Sequence, residues 1–176
     1  MNLGTVELAG AMLVIFAGIA KTIDPGALAN GLALSGIAVK PFLVRVGSMI
    51  EGLVGLLVLM TRWPLMGLVL GASYVGFSLF VFLALVRKLP VSSCGCFGEP
   101  DTRPTWLHVL LNLVFAGACF GESVTGLSLG ESWGHYRVGF PGVLTTLVAL
   151  AVAFFGYLIM SQLPRLNSVM AETRSY

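Results

Sequence analysis

The sequence predicts an all-α integral membrane protein, a bundle of four transmembrane helices with one additional transmembrane helix at the carboxyl end. Three observations predict it. Of 176 residues, 57% are hydrophobic and only 10% are charged, against about 25% charged in a soluble domain, and the mean hydropathy is +0.94. Five windows, 5–23, 42–61, 64–87, 104–121 and 138–163, approach or reach the roughly 20 apolar residues that cross a hydrocarbon core about 30 Å thick. The charges sum to +2 and sit mostly at the ends of those windows, which leaves no basic surface for nucleic acid. The lipid bilayer is the partner that composition implies.

The first window follows Met1-Asn2-Leu3-Gly4 and carries Glu7 where a secretory signal has basic residues, so it reads as an uncleaved helix. Residues 24–41 are broken by Asp24-Pro25-Gly26, Gly31, Gly36 and Pro41. They are too interrupted to span, yet Leu28, Leu32, Leu34 and Ile37 give them an apolar side, so an interfacial or re-entrant segment is expected. The second and third windows meet at Thr61-Arg62-Trp63-Pro64, a tight antiparallel connection with Pro64 suited to a first helical turn and Trp63 to the membrane interface. The fourth has Trp106 near one end. The fifth carries no charge from Val138 to Gln162, and it is expected to face lipid over much of its circumference. Gly67 with Gly71, and Gly117 with Gly121, have the small-xxx-small spacing that lets helices approach closely. Residues 1–121 thus form a four-helix core that includes the 24–41 segment and the polar loop 88–103. Residues 122–176 supply a loop, the fifth helix and a short polar tail.

Basic residues orient the bundle. Lys21, Lys40, Arg45, Arg87, Lys88, Arg103, Arg165 and Arg174 fall on one side, and only Arg62 and Arg137 on the other. The bias places the 24–41 segment, the 88–103 loop and the carboxyl terminus in the cytoplasm and the amino terminus outside, provided that the fifth window spans and that Lys21 and Arg45 count as loop charges.

The chain has three cysteines, two of them in Cys94-Gly95-Cys96. An odd number with so close a pair excludes a disulfide scaffold and leaves a local reactive pair with one spare thiol. Gly95 permits the sharp turn that would bring the two together. The small ring would be strained, and strain makes a disulfide labile, which suits exchange. Arg87, Lys88 and Arg103 flank the loop and favour the thiolate. Two inert cysteines in a glycine-rich turn are the plain alternative. No resident metal is assigned, because zinc takes four ligands and His108, Glu99 and Asp101 are not at knuckle spacing from the thiols. Transient capture of a soft ion, Cu(I) or Hg(II), by Cys94 and Cys96 stays open.

Ionisable residues inside membrane helices are costly and are functional candidates by default. Glu51 lies about 13 Å along the second helix, with Gly47 and Gly55 one turn to either side on a face that a neighbouring helix could approach. Lys21, at the end of the first helix on the same membrane side, is within reach of Glu51. Glu7 lies within about 40° of Lys21 on the helical wheel. A buried ion pair fixing helix register and a proton or ligand site are both open. On the fourth helix His108, Asn112, Phe115 and Cys119 recur within an arc of about 60°, a stripe that leads inward from the cysteine loop. His108 is the proton partner expected for a thiolate, and Asn112 a hydrogen-bonding group in the bundle. Cys119 is about 16 Å from His108 along the axis and reads as a small packing residue. Tyr74 in the third helix is either a bundle hydrogen bond or part of a site.

Three segments together carry a resemblance: Phe16-Ala17-Gly18-Ile19-Ala20-Lys21 with Asp24-Pro25, Glu51-Gly52-Leu53 with Gly55-Leu56-Leu57, and Cys94-Gly95-Cys96-Phe97-Gly98. Residues 5–121 resemble the MauE branch of the MauE/DoxX family of membrane proteins, and the cysteine element after the third helix is the most specific part. The resemblance implies a DoxX-like four-helix core in a bacterial inner membrane and a redox role with thioredoxin-like partners in disulfide formation or thiol delivery. DoxX-type relatives are associated with quinone-linked sulfur oxidation, so quinone is the acceptor implied by analogy; no other cofactor is. Carried over by position, Cys94 and Cys96 are the redox pair, and Lys21 and Glu51 the matching charged positions. A periplasmic role would place the thiols outside, whereas the charge bias places them inside.

The leading expectation is a membrane thiol–disulfide component in which Cys94 and Cys96 cycle, His108 moves protons, and Lys21, Glu51, Asn112 and Tyr74 line a cavity for a quinone head or substrate. One alternative is soft-metal uptake, with the cysteine pair as entry ligand and Glu51 and Cys119 along the path. Another is an accessory subunit of a larger respiratory or photosynthetic membrane complex.

Overall fold

A computed structural model describes residues 3–34, 36–61, 64–88, 104–125 and 140–173. The described residues form six helices: α1 Leu3–Ile23, α2 Gly26–Leu34, α3 Pro41–Met60, α4 Pro64–Val86, α5 Trp106–Thr125 and α6 Phe140–Thr173. Five of them, all but α2, are long and apolar enough to cross a membrane, as the fold class predicts. Among the described residues there is no strand.

Local chemistry sets the helix ends. The Asp24 carboxylate accepts from the Gly26 amide at 3.0 Å and opens α2, whose nine residues reach only about 14 Å. The helix closes on Gly36 at φ 85°, with Ile37 N–H donating to Leu32 O at 2.9 Å; only glycine adopts that conformation without strain. Pro41 opens α3 with its preset φ and no amide to satisfy. Thr61 closes it, both its amide and its hydroxyl donating to Leu57 O at 2.8 Å.

The bundle consists of two closely packed pairs, α1 with α3 and α4 with α5. The pairs meet each other more sparsely, α6 lies on α1 and only grazes α5, and α2 touches α3. In α3 the inward stripe is Val44, Ser48, Gly55 and Val58, at helical spacing. Gly18 packs on that stripe, where an added Cβ would come within 2.8 Å of Ser48 O and 3.0 Å of the Gly52 backbone. One at Gly55 would lie 2.8 Å from Ala11 O. The close approach therefore runs through Gly18, Gly52 and Gly55. Gly47, expected on that face, is exposed and has nothing within 4 Å of an added Cβ.

The two glycine pairs also part company. A Cβ at Gly71 would meet the Phe120 ring at 2.8 Å, so α4 uses its pair against α5. Gly117 is exposed and opens onto nothing within 4 Å, because α5 turns its neighbours Ala116 and Ala118 inward instead. The core joins Leu8, Leu13 and Val14 of α1 to Leu70 and Tyr74 of α4, Phe115 and Cys119 of α5, and Ala149 and Ala153 of α6. Large apolar side chains such as Phe42, Ile50, Leu53, Leu147 and Phe154 point outward, as a lipid-facing surface requires. The uncharged fifth spanning helix keeps only a narrow inward side, as its composition predicts.

Two boundaries run past the apolar windows. α5 continues from 121 to Thr125, and α6 continues through Pro164 to Thr173 rather than ending at 163. Hydropathy marks where lipid contact ends, while a helix persists beyond it wherever its backbone bonds continue.

Candidate functional site

α1 delivers Lys21 and α3 delivers Glu51 to one point inside the bundle. Lys21 Nζ stands 2.5 Å from Glu51 Oε2, with the lysine side chain 3% exposed and the glutamate 12%. The ammonium also lies 4.9 Å from the centroid of the Phe77 ring, whose face attracts a cation. A second tie holds this end of α1 on α3, where Arg45 Nε donates to Thr22 O at 3.0 Å. Lys21 is therefore a buried charge paired inside the bundle and not an exposed loop residue.

α4 contributes Tyr74, whose hydroxyl donates to Gly10 O at 2.7 Å. Its ring stacks on Phe115 at 5.2 Å between centroids and meets Phe77 edge-on at 6.3 Å. Tyr74→Phe is expected to lower stability by about 1 kcal/mol, the net worth of one such bond, measured by thermal unfolding in detergent. α5 contributes Asn112, one turn after His108. The predicted stripe of His108, Asn112, Phe115 and Cys119 faces inward along its whole length.

Lys21, Glu51, Tyr74 and Asn112, drawn from four helices, line a single cavity of about 30 Å³, with Phe77 and the α6 residue Met160 also in its wall. The structure thus brings together all four residues expected to form a polar cavity. Glu51 Oε1 and Asn112 Nδ2 are buried and have no hydrogen-bond partner, and each such atom costs about 1–3 kcal/mol when left unsatisfied. The volume suits one or two waters, whereas a cavity holding a benzene ring measures about 150 Å³.

His108 is 1% exposed and sits in the first turn of α5. Its Nδ1 is 2.7 Å from the Thr105 hydroxyl, and its Nε2 has no partner. Cys94 and Cys96, with Glu99, Asp101 and Arg103, lie outside the described residues. Cys119 is fully buried in the apolar core, about 10 Å along the axis from Asn112. Among the described residues no group of three or more His, Cys, Asp and Glu side chains is placed to hold a metal.

The opposite end of the bundle holds two acidic residues that sequence reasoning did not single out as a site. Glu7 and Glu122 are both buried and close enough to interact electrostatically. Gly67 makes room there, since its Cβ would lie 2.7 Å from Glu7 Oε1. The signal for Glu122 was available, because it is the next position of the α5 stripe after Cys119, three residues on. A charge at the edge of an apolar window reads instead as the end of the span.

The family model described as methylamine utilisation protein MauE matches residues 3–129. The chain belongs to the MauE family. No curated protein and no solved structure matches it. The resemblance carried by the segments around Lys21, Glu51 and Cys94-Gly95-Cys96 is thereby confirmed, and the protein is a multi-pass membrane member of that family. The match takes in α1 to α5 and ends before α6, so Met160 reaches the cavity of the MauE core from outside the matched region.

Proposed function

We propose that this MauE-family protein is a membrane thiol–disulfide redox component. Cys94 and Cys96 close a disulfide, losing two protons and two electrons, and a quinone in the bilayer takes up both to become a quinol. A thioredoxin-like partner then returns the pair to the dithiol through a mixed disulfide and leaves with a disulfide of its own. The observation that carries this reading is the Cys94-Gly95-Cys96 pair inside the MauE match. The polar groups support it, because α5 begins just after the cysteine segment, with His108 in its first turn as the proton partner. Lys21, Glu51, Asn112 and Tyr74 form the chamber on which the quinone head converges. A ring enters it when Met160 swings aside, which an unbranched side chain with three rotatable bonds allows.

The test is Cys96→Ser, which leaves Cys94 unable to resolve a mixed disulfide. Under oxidising conditions the variant is expected to accumulate a covalent adduct with a thioredoxin-like protein, released by reductant and absent from the variant lacking both cysteines. No adduct in intact cells would overturn thiol exchange.

A further inference from the structure

The cavity between the two helix pairs contains a mismatch that points to a bound species. Glu51 uses Oε2 for Lys21, while Oε1, an acceptor, has no partner. In the wall of the same cavity Asn112 Nδ2, a donor, has none either. Buried polar groups in native proteins are nearly always satisfied, by protein or by ordered water. A space of about 30 Å³ admits one or two water molecules, and a water is both the acceptor that Asn112 needs and the donor that Glu51 needs.

We propose that this cavity is a proton-binding site, in which water held by Asn112 Nδ2 delivers a proton to Glu51 Oε1. Hydronium gives up one O–H bond and becomes water, the carboxylate becomes a carboxylic acid, and the Lys21–Glu51 pair changes from neutral to singly positive. Lys21 is not stranded by this change, because its ammonium keeps the Phe77 ring face at 4.9 Å. The polar and titratable groups that line the cavity with Glu51 are Lys21 from α1, the Tyr74 phenol from α4 and the uncharged Asn112 from α5, and Leu13, Val14, Ala17, Phe77 and Met160 complete its wall. On its own helix the next charged residue, Arg45, is engaged with Thr22 O. One turn before Asn112 on the same face, His108 Nε2 is likewise buried without a partner, the next group to which a proton could pass toward the loop end of α5. The site stands independently of the thiol reading, since it requires nothing of Cys94 or Cys96.

Infrared pH-difference spectroscopy on the full chain in lipid vesicles tests it. As pH falls, the carbonyl stretch of a buried protonated carboxyl is expected to appear, to be lost in Glu51→Gln and to remain in Glu7→Gln. Water O–H bands that shift in heavy-oxygen water are expected to accompany it and to be lost in Asn112→Leu. Because Glu51→Gln fixes the cavity in a singly positive state, Lys21→Met combined with Glu51→Gln provides the same readout with neither charge present. A carboxyl band undiminished in both Glu51 variants, or water bands unchanged in Asn112→Leu, would overturn the proposal.

Discussion

At a pH that keeps Glu51 ionised, Lys21→Met is expected to cost about 3–5 kcal/mol of folding stability, because it leaves the Glu51 carboxylate buried without its countercharge. The pair is held at 2.5 Å between the two helices of one closely packed pair, and the polar alternatives near Glu51 do not replace a cation. Lys21→Met combined with Glu51→Leu is expected to recover most of that loss, since a buried ion pair exchanged for apolar side chains of similar volume is often neutral or stabilising. The comparison is a denaturant or thermal unfolding series in detergent, read with size-exclusion profiles. Equal losses in the single and double variants would show that the site tolerates an unpaired Glu51 and that the pair does not govern the fold.

The second large effect is steric. Gly18→Ala is expected to destabilise the α1–α3 pair by about 1–3 kcal/mol, the usual cost of forcing extra volume into a packed interior. Its Cβ would come within 2.8 Å of Ser48 O and 3.0 Å of the Gly52 backbone, and backbone cannot swing away as a side-chain end can. Gly47→Ala is the matched control on the same α3 helix that Gly18 packs against. Nothing lies within 4 Å of its new Cβ, so the change is expected to raise stability by about 0.5–1 kcal/mol through helix propensity alone. Unfolding midpoints of the two variants check both; a neutral Gly18→Ala would mean that α1 and α3 do not meet at this depth.

The spans were legible because lipid imposes a simple rule, a run of apolar residues long enough to cross. The Lys21–Glu51 pair and the α5 stripe were legible for a related reason, since charge and helical phase stand out against an apolar background. Which glycine makes a contact was not. Gly47, Gly52 and Gly55 differ by one or two turns of α3, and only the azimuth at which α1 arrives selects Gly52 and Gly55 over Gly47. The same holds for Gly117, whose i+4 spacing is right but whose face points away from every other helix. Convergence of Tyr74 and Asn112 on the Lys21–Glu51 pair required the tertiary arrangement, because no sequence spacing relates α4 and α5 to α1 and α3. Met160 was invisible for the same reason, in a helix whose composition speaks only of lipid.

Two firmly packed helix pairs, with a seam between them that is apolar along most of its length and polar at the cavity, form a pair of jaws. Lys21 and Glu51 belong to one jaw, Tyr74 and Asn112 to the other, and most of the close packing lies within each jaw rather than across the opening. A small change in the angle between the helix pairs alters the width of the cavity while leaving the glycine contacts inside each pair undisturbed. α6 rests chiefly on α1, so Met160 belongs to the side of the cavity formed by the first jaw.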